Sequence, residues 1–234
     1  MTTILVPEDH ENFQDIALLM RSIDAVDIPE TEFDSADFAS AKWLAMSPGW
    51  HASYPEPASG RFGYLEATYG GSHKCVECGA GLKQSSSFVM KSTPKWVRRS
   101  ICQLYWVRDE FFVTDSLAGF LGDAYGIETA KVINRRGEIL NDVHQIVVRD
   151  EVAINPANLE FSVCATCGTK RFSNQLAGMF PEVLTDCSAP IAKTEAYFGT
   201  GAAAWKRIVI SKRLHASLVE RGVKGADFHP ARSS

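Results

Sequence analysis

Two CxxCG motifs constrain this chain more than any other feature of its sequence. They begin at residues 75 and 164, and their cysteines are Cys75, Cys78, Cys164 and Cys167. Four thiolates are the complete ligand set of a structural tetrahedral zinc site, and a trailing glycine suits the tight turn that directs backbone N–H groups at the sulfurs. The two motifs together predict one structural Zn²⁺ per chain, bound by these four cysteines.

The spacing of the motifs favours a structural ion over a catalytic one. A compact zinc ribbon separates its knuckles by about 15–20 residues, whereas residues 79–163 intervene here, so the ion would join two remote parts of the chain. A catalytic zinc keeps an open position and usually has three protein ligands. We interpret His73, Cys102 and Cys187 as packed or surface residues.

Other interpretations of the four cysteines remain open at this stage. They could be reduced thiols packed as small apolar groups, or a redox pair, although a thioredoxin-type motif should follow a strand of a βαβ unit. An iron–sulfur cluster would use the same ligands. The ribbon-like form of both motifs favours zinc.

The composition is that of a globular protein with a sizeable core. Hydrophobic residues make up 45% of the 234 residues, and no stretch approaches the roughly 18 apolar residues of a membrane helix. The chain does not begin with a basic segment and an apolar run, so we expect no signal peptide. Cysteines grouped as CxxC without a secretion signal indicate a reducing compartment, and we expect a cytoplasmic protein that does not bind membranes.

Acidic residues are concentrated towards the N-terminus. The net charge is −4, but residues 1–70 contain 12 acidic and 3 basic side chains, against 16 and 21 in the remainder. A solvated helix face explains this pattern, and so does a surface for a basic protein partner, since complementary charge speeds encounter. The candidate contact residues are Asp24, Asp27, Glu30, Glu32 and Asp34.

We expect an α+β fold with mixed or antiparallel sheets and short helices, stapled by a split, zinc-ribbon-like four-cysteine site. Residues 1–73 are predicted to form an acidic, partly helical N-terminal extension, and residues 74–234 the body. Helices are expected over residues 11–23 and from an N-cap at Ser35 towards Ala45. The predicted strands include residues 104–107, 111–113 and 161–163 and a hairpin over residues 129–148.

Two segments of the body resemble each other, at about residues 104–133 and 205–230. Each is predicted to run strand, hydroxyl N-cap, short helix, glycine and strand. Thr114 and Ser211 are the predicted N-caps, and Gly126 and Gly222 follow the helices. We interpret the two segments as scaffold.

Enzyme motifs are absent. The sequence contains no GxGxxG, P-loop, HExxH or GxSxG pattern and no zinc-deaminase signature. We therefore expect no catalytic activity. Because catalytic geometry is spatial, a metal-dependent enzyme with an open metal position is kept as an alternative.

The order of these features resembles the bacterial double-CxxCG motif proteins, which are immunity proteins of polymorphic toxin systems. The likeness spans roughly residues 74–230. It rests on both CxxCG motifs and on a tail that contains residues 208–211, Leu214, Leu218, Gly222 and Phe228. Family members place the first motif nearer the N-terminus than this chain does. The resemblance implies a non-catalytic protein that binds and neutralises a cognate toxin.

A nucleic-acid-binding zinc ribbon is the alternative function. Its contacts would be Lys95, Arg98, Arg99, Lys170 and Arg171. The net charge of −4 makes a nucleic acid partner unfavourable for the chain as a whole.

Overall fold

The structure, a computed structural model, describes residues 6–23, 25, 30–57, 63–70, 74–174 and 177–233. The chain forms two compact units, one of Met1–Glu32 with Leu176–Gly178 and one of Phe33–Gln175 with Met179–Ser234. Both sheets and the four cysteines belong to the second unit. The protein is α+β, with sheets and short helices, as the sequence predicts.

The first unit contains helix α1, which spans Phe13–Ser22. None of its residues is fully buried, and Leu18 and Leu19 are 63% and 61% exposed. In the same unit, the Thr31 hydroxyl accepts a hydrogen bond of 2.7 Å from the Gly178 N–H. The helix predicted over residues 11–23 is therefore confirmed.

The remaining helices and the strands, within the described part of the chain, lie in the second unit. The helices are α2 (Ser35–Ser40), α3 (Gly63–Tyr69), α4 (Asp115–Tyr125) and α5 (Lys212–Glu220). The strands are β1 (Trp43–Pro48), β2 (Ile101–Cys102), β3 (Phe112–Val113), β4 (Thr129–Ile133), β5 (Ile139–Ile146), β6 (Glu151–Val152), β7 (Phe161–Val163), β8 (Lys170–Phe172), β9 (Ile191–Phe198), β10 (Trp205–Ser211) and β11 (Ala226–Pro230). The predicted hairpin corresponds to β4 and β5.

Seven strands form a mixed sheet in the order β11-β1-β10-β9-β8-β7, with β6 paired to β9 outside this path. The pairs from β11 to β9 are antiparallel, whereas β6 and β8 run parallel to β9. In β1, Leu44 pairs with Ile210 of β10 on one side and with Pro230 of β11 on the other. Residues 43–48, assigned from the sequence to the N-terminal extension, thus belong to the main sheet of the body.

The second sheet has four antiparallel strands in the order β2-β3-β5-β4. Strand β5 lies between β3 and β4, the strands before and after helix α4. In the large sheet, β1 lies in the same way between β10 and β11, the strands before and after helix α5. Each of the two similar sequence segments is therefore a β–α–β unit whose strands are separated by one antiparallel strand. The orders β2-β3-β5-β4 and β9-β10-β1-β11 correspond strand for strand.

The helices of these two β–α–β units begin and end alike. The Thr114 hydroxyl accepts a hydrogen bond of 3.4 Å from an N–H of the first turn of α4, and the Ser211 hydroxyl accepts one of 3.2 Å in α5. Gly126 and Gly222 follow the helices with φ of 66° and 64°. This left-handed conformation ends a helix and suits glycine, so both predicted caps and both predicted helix ends are confirmed.

One hydrophobic core is shared by the two β–α–β units. Its helical residues are Leu117, Ala118 and Leu121 of α4 and Leu214 and Leu218 of α5, and strands of both sheets contribute to it. Because successive residues of a strand point to opposite faces, Val113 enters this core while Phe112 enters a second core around Phe88. One face of each of the helices α4 and α5 is thus buried in the same core.

The prediction for the second helix is wrong at both ends. Its N-cap is Asp34 rather than Ser35, because the Asp34 carboxylate accepts hydrogen bonds of 2.7 and 2.9 Å from two N–H groups of the first turn. The helix ends at Ser40 and does not reach Ala45. Ala45 is fully buried in β1, where pairing with two neighbouring strands replaces helical hydrogen bonds.

The strand predicted over residues 104–107 is also wrong, since these residues form a turn. Trp106 has φ of 70°, and its carbonyl accepts a hydrogen bond of 3.1 Å from the Tyr64 hydroxyl. Leu104 and Val107 are buried while the two residues between them are exposed. A strand would alternate between its two faces, so the aromatic and branched composition here reflects packing around a turn.

Candidate metal centre

The second CxxCG motif is the turn of the β7–β8 hairpin. Val163 pairs with Lys170, so residues 164–169 form the connection. The Cys164 N–H donates to the Thr169 carbonyl at 3.0 Å, and the Gly168 N–H donates to the Cys164 carbonyl at 2.9 Å. Gly168 has φ of 72°, which glycine adopts without steric cost.

The first CxxCG motif has the same backbone geometry without flanking strands. The Cys75 N–H donates to the Ala80 carbonyl at 2.9 Å, and the Gly79 N–H donates to the Cys75 carbonyl at 2.8 Å. Gly79 has φ of 77°. Both hydrogen bonds join the same motif positions as in the second motif, so the chain forms two equivalent cysteine knuckles.

The two knuckles bring all four cysteines together, with their sulfurs within 4.8 Å of one another. Across the knuckles, Sγ of Cys75 lies 3.7 Å from Sγ of Cys164, and Sγ of Cys78 lies 3.6 Å from Sγ of Cys167. Four sulfurs at about 2.3 Å from one Zn²⁺ are about 3.8 Å apart in a tetrahedron. A disulfide requires about 2.05 Å, and a four-iron cluster would place iron and sulfide ions between the thiolates and spread them further. The spacing therefore fits a single mononuclear ion.

Side chains outside the ligand set join the two knuckles to each other and to the large sheet. The Thr166 hydroxyl of the second knuckle donates to the Glu77 carboxylate of the first, and this carboxylate lies 3.9 Å from Sγ of Cys164. The Tyr197 hydroxyl of β9 accepts a hydrogen bond of 3.1 Å from the Gly81 N–H. These contacts join the first knuckle to the second knuckle and to β9.

The two ends of the cluster differ in how readily their thiols ionise. Burial raises the pKa of Cys78 to about 12, because a thiolate loses its hydration there. Hydrogen bonds from the hydroxyl and the backbone N–H of Thr169 lower the pKa of the exposed Cys167 to about 6. The thiol at the exposed end of the cluster therefore ionises more readily than the thiol at its buried end.

An open cavity of about 560 Å³ adjoins the cluster. Its walls include Cys75, Cys167, Lys74, Val76 and Tyr197. Cys167 is exposed and Cys75 half-buried, whereas Cys78 and Cys164 are buried. The cluster is thus reachable from one side only.

The other cysteines do not join the cluster. Cys102 is fully buried in the second core, and burial raises the pKa of its thiol. Cys187 is half-buried, and its sulfur accepts a hydrogen bond of 3.4 Å from the Ala189 N–H. Over the described ranges, the four knuckle cysteines are the one group of three or more His, Cys, Asp or Glu side chains arranged to hold a metal ion. His73 lies outside the described residues.

The structure places the acidic candidate residues only in part. Asp24 and Asp27 lie outside the described residues, and Glu30 and Glu32 are exposed. The Asp34 carboxylate is the N-cap of α2, so it is engaged in a local structural role.

Sequence reasoning missed the residues that support the cluster, namely Glu77, Thr166, Thr169 and Tyr197. Three of them lie inside or directly after a CxxCG motif, where a polar side chain reaches the facing knuckle or its own cysteine. Their position in or directly after a CxxCG motif could have identified these three residues from the sequence. Tyr197 is remote in sequence, and only the path of β9 brings it to the cluster.

Comparison with known proteins finds no match, either to a protein-family model or to a curated protein. In the part of the chain that the structure describes, no helix has both the length and the apolar character that a membrane crossing requires.

Proposed function

We propose that the four cysteines bind one structural Zn²⁺. The observation that carries this proposal is the sulfur spacing of 3.6 and 3.7 Å across the knuckles, close to that of a tetrahedral zinc thiolate site. With four protein thiolates, such an ion has no open position for substrate or water. This supports a structural ion and a non-catalytic protein.

We further propose that the protein is an immunity protein that binds and neutralises a cognate toxin. The proposal is supported by the resemblance of the two knuckles and of the tail from β10 to β11 to the double-CxxCG immunity proteins. It predicts a stable complex with a toxin domain encoded beside this chain. Co-expression of the two should restore growth that the toxin alone arrests, and the complex should co-elute in size-exclusion chromatography.

The acidic N-terminal residues are the proposed contact for a basic toxin. Charge reversal of Asp24, Asp27, Glu30 and Glu32 should slow association at low salt, with dissociation little changed, since exposed charges act mainly on the encounter rate. Charge reversal of Asp123 on α4 and Glu220 on α5, two exposed acidic residues outside the N-terminal segment, is the matched control and should leave the association rate unchanged. An unchanged association rate would reject this contact while leaving toxin binding intact. Failure to form any complex would reject the immunity function itself.

A further inference from the structure

The segment 91–108 concentrates positive charge in an otherwise acidic chain. It contains five cationic side chains and no acidic one, although the net charge of the chain is −4. The cations are Lys91, Lys95, Arg98, Arg99 and Arg108, and all are exposed. None forms an ion pair with a carboxylate among the residues that the structure describes. Two acidic residues, Asp109 and Glu110, follow the segment directly, and the Arg108 guanidinium lies 4.5 Å from the ring centroid of Trp205. The other four cations have no carboxylate partner among the described residues.

The cationic segment is paired with a second, aromatic segment. Residues 50–54 run alongside residues 101–105, where the Ala52 N–H donates to the Gln103 carbonyl at 3.0 Å and the Tyr105 N–H donates to the Ser53 carbonyl at 2.9 Å. Beside Trp50, the first residue of the aromatic segment, the Arg99 guanidinium lies 4.9 Å from the ring centroid. We call residues 50–54 and 97–108 the basic aromatic face, because Arg99 and Arg108 are the cations that lie near its rings.

The other end of the basic aromatic face carries a column of four rings. Their centroids follow one another at 4.8 Å from His51 to Tyr105, 4.7 Å from Tyr105 to Tyr54 and 4.5 Å from Tyr54 to Trp106. Tyr54, Tyr105 and Trp106 are 46%, 43% and 37% exposed. Burial and the nearby Arg108 charge lower the pKa of His51, which keeps its ring neutral and suited to stacking.

The backbone adopts two unfavourable conformations on this face. Val97 has φ of 51° and Trp106 has φ of 70°, and both conformations are rare for branched or bulky residues. In an extended chain Tyr105 and Trp106 would point to opposite sides, but the turn places both rings against Tyr54. Backbone strain of this kind clusters at binding sites, where it holds side chains in position.

We propose that the basic aromatic face binds single-stranded nucleic acid. Unpaired bases stack on exposed aromatic rings whatever their sequence, and exposed arginines and lysines neutralise the phosphates. Tyr105 and Tyr54 already lie between other rings, so an unpaired base would contact the exposed part of the Trp106 ring at the end of the column. The bases of a duplex are stacked on each other and offer no free face for that contact. This activity goes beyond toxin neutralisation and does not depend on it.

The test uses the purified full-length protein and fluorescein-labelled oligo-dT and oligo-U, with a duplex of equal length as comparison. Fluorescence anisotropy should show tighter binding of the single strands, and binding should quench the exposed Trp106. If Arg98, Arg99 and Arg108 each contact one phosphate, the logarithm of affinity should fall with the logarithm of salt concentration with a slope of about −2.

Two variants separate stacking from charge. Trp106→Gly removes the ring and suits the positive φ, so the fold should be kept while single-strand affinity falls at least about five-fold. Arg98→Gln should weaken binding and reduce the salt slope by about 0.7. Arg221→Gln is the matched control, because Arg221 is also an exposed arginine stacked on a ring, that of Phe120, and directly follows α5, outside the basic aromatic face. It should bind as the wild type does.

Three results would overturn the proposal. The first is no salt-dependent binding of the single strands, or equal binding of the duplex. The second is a loss of affinity in Arg221→Gln equal to that in Arg98→Gln, which would show that affinity depends only on the total charge of the protein. The third is displacement of oligo-U by poly-glutamate at equal charge concentration together with full affinity of Trp106→Gly. That outcome would assign the face to an acidic protein instead.

Discussion

Removing the proposed ion from the four-cysteine cluster should destabilise the protein by an amount set by the length of the loop that the ion would close. The cross-knuckle pairs join residues 89 positions apart in sequence. Treated as a cross-link, closure of an 89-residue loop lowers the entropy of the unfolded chain by an amount worth about 4.6 kcal/mol at 25 °C. That is a large share of the roughly 5–15 kcal/mol that stabilises a typical domain.

The corresponding change in melting temperature is large enough to measure directly. For a protein of this size, 1 kcal/mol corresponds to about 2–4 °C, so loss of the ion should lower the melting temperature by about 9–18 °C. Elemental analysis should first show one zinc per chain. Melting with and without a strong chelator, in the presence of a phosphine reductant that prevents disulfide formation, then gives the shift. The cavity beside Cys75 and Cys167 would give the chelator access to the proposed ion in the folded state.

Variants in the two knuckles test whether closure of the 89-residue loop causes the change in melting temperature. The double change Cys75→Ser with Cys78→Ser opens the same loop as Cys164→Ser with Cys167→Ser, so both should melt within about 2–4 °C of each other. Cys187→Ser, outside the cluster, should keep one zinc and nearly the full melting temperature. If the chelator lowers the melting temperature by less than about 2 °C, the four cysteines do not hold a stabilising ion. Strongly unequal double variants would show that each knuckle acts locally and that the loop-closure reasoning is wrong.

Three further changes test the packing of the body. Lys193→Met removes the Nζ that lies 2.6 Å from the buried Glu110 carboxylate and should lower the unfolding free energy by about 3–5 kcal/mol at neutral pH. Burial raises the pKa of Glu110 above its ordinary value of 4.5. Denaturant titrations should therefore show this loss growing as the pH rises above 4.5 and shrinking as the pH falls below 4.5. Gly225→Ala would place a Cβ against a carbonyl oxygen of β2 at φ of 108°, whereas Gly137→Ala, at φ of 80°, meets open space; chemical denaturation should show a cost of about 1–2 kcal/mol for Gly137→Ala and at least about 3 kcal/mol for Gly225→Ala. Ser211→Ala removes the N-cap of α5 and should lower the unfolding free energy by about 1 kcal/mol in the same assay, and an unchanged value would show that water replaces the cap.

Local signals account for the features that the sequence predicts correctly. The knuckle backbone depends on cysteine and glycine spacing, and the ends of α4 and α5 depend on Thr114, Ser211, Gly126 and Gly222, each acting within one helical turn. Such patterns can be predicted from the sequence because the interacting residues are close together in it. The meeting of the knuckles was predictable for a different reason, namely that one tetrahedral ion needs four ligands and each motif supplies two.

The wrong predictions concern residues whose conformation depends on contacts with distant parts of the chain. Ala45 has a helix-compatible sequence before it, but its position between β10 and β11 decides its conformation. Trp106 lies in a segment of high strand propensity, yet the Tyr64 hydroxyl bonds its carbonyl in a turn. Strand propensity largely measures how a side chain fits a half-buried surface. It therefore carries no information about whether that surface is a sheet or a turn.

The path of the chain between the knuckles explains why such a long connection is compatible with a structural ion. Residues 79–163 contain β2 to β5 and α4, which is the whole four-stranded sheet with the first β–α–β unit, followed by β6 and β7 of the large sheet. The second unit, built from β1 and β9 to β11 with α5, lies outside that loop. Its helix nevertheless shares a core with α4. The cluster, at the edge hairpin β7–β8, therefore closes the chain around one β–α–β unit, while the shared core fixes that unit against the other. The shared helix core and the cysteine cluster thus join the two units at different places. Direct contacts add to them, such as the 2.6 Å ion pair between Lys193 of β9 and Glu110.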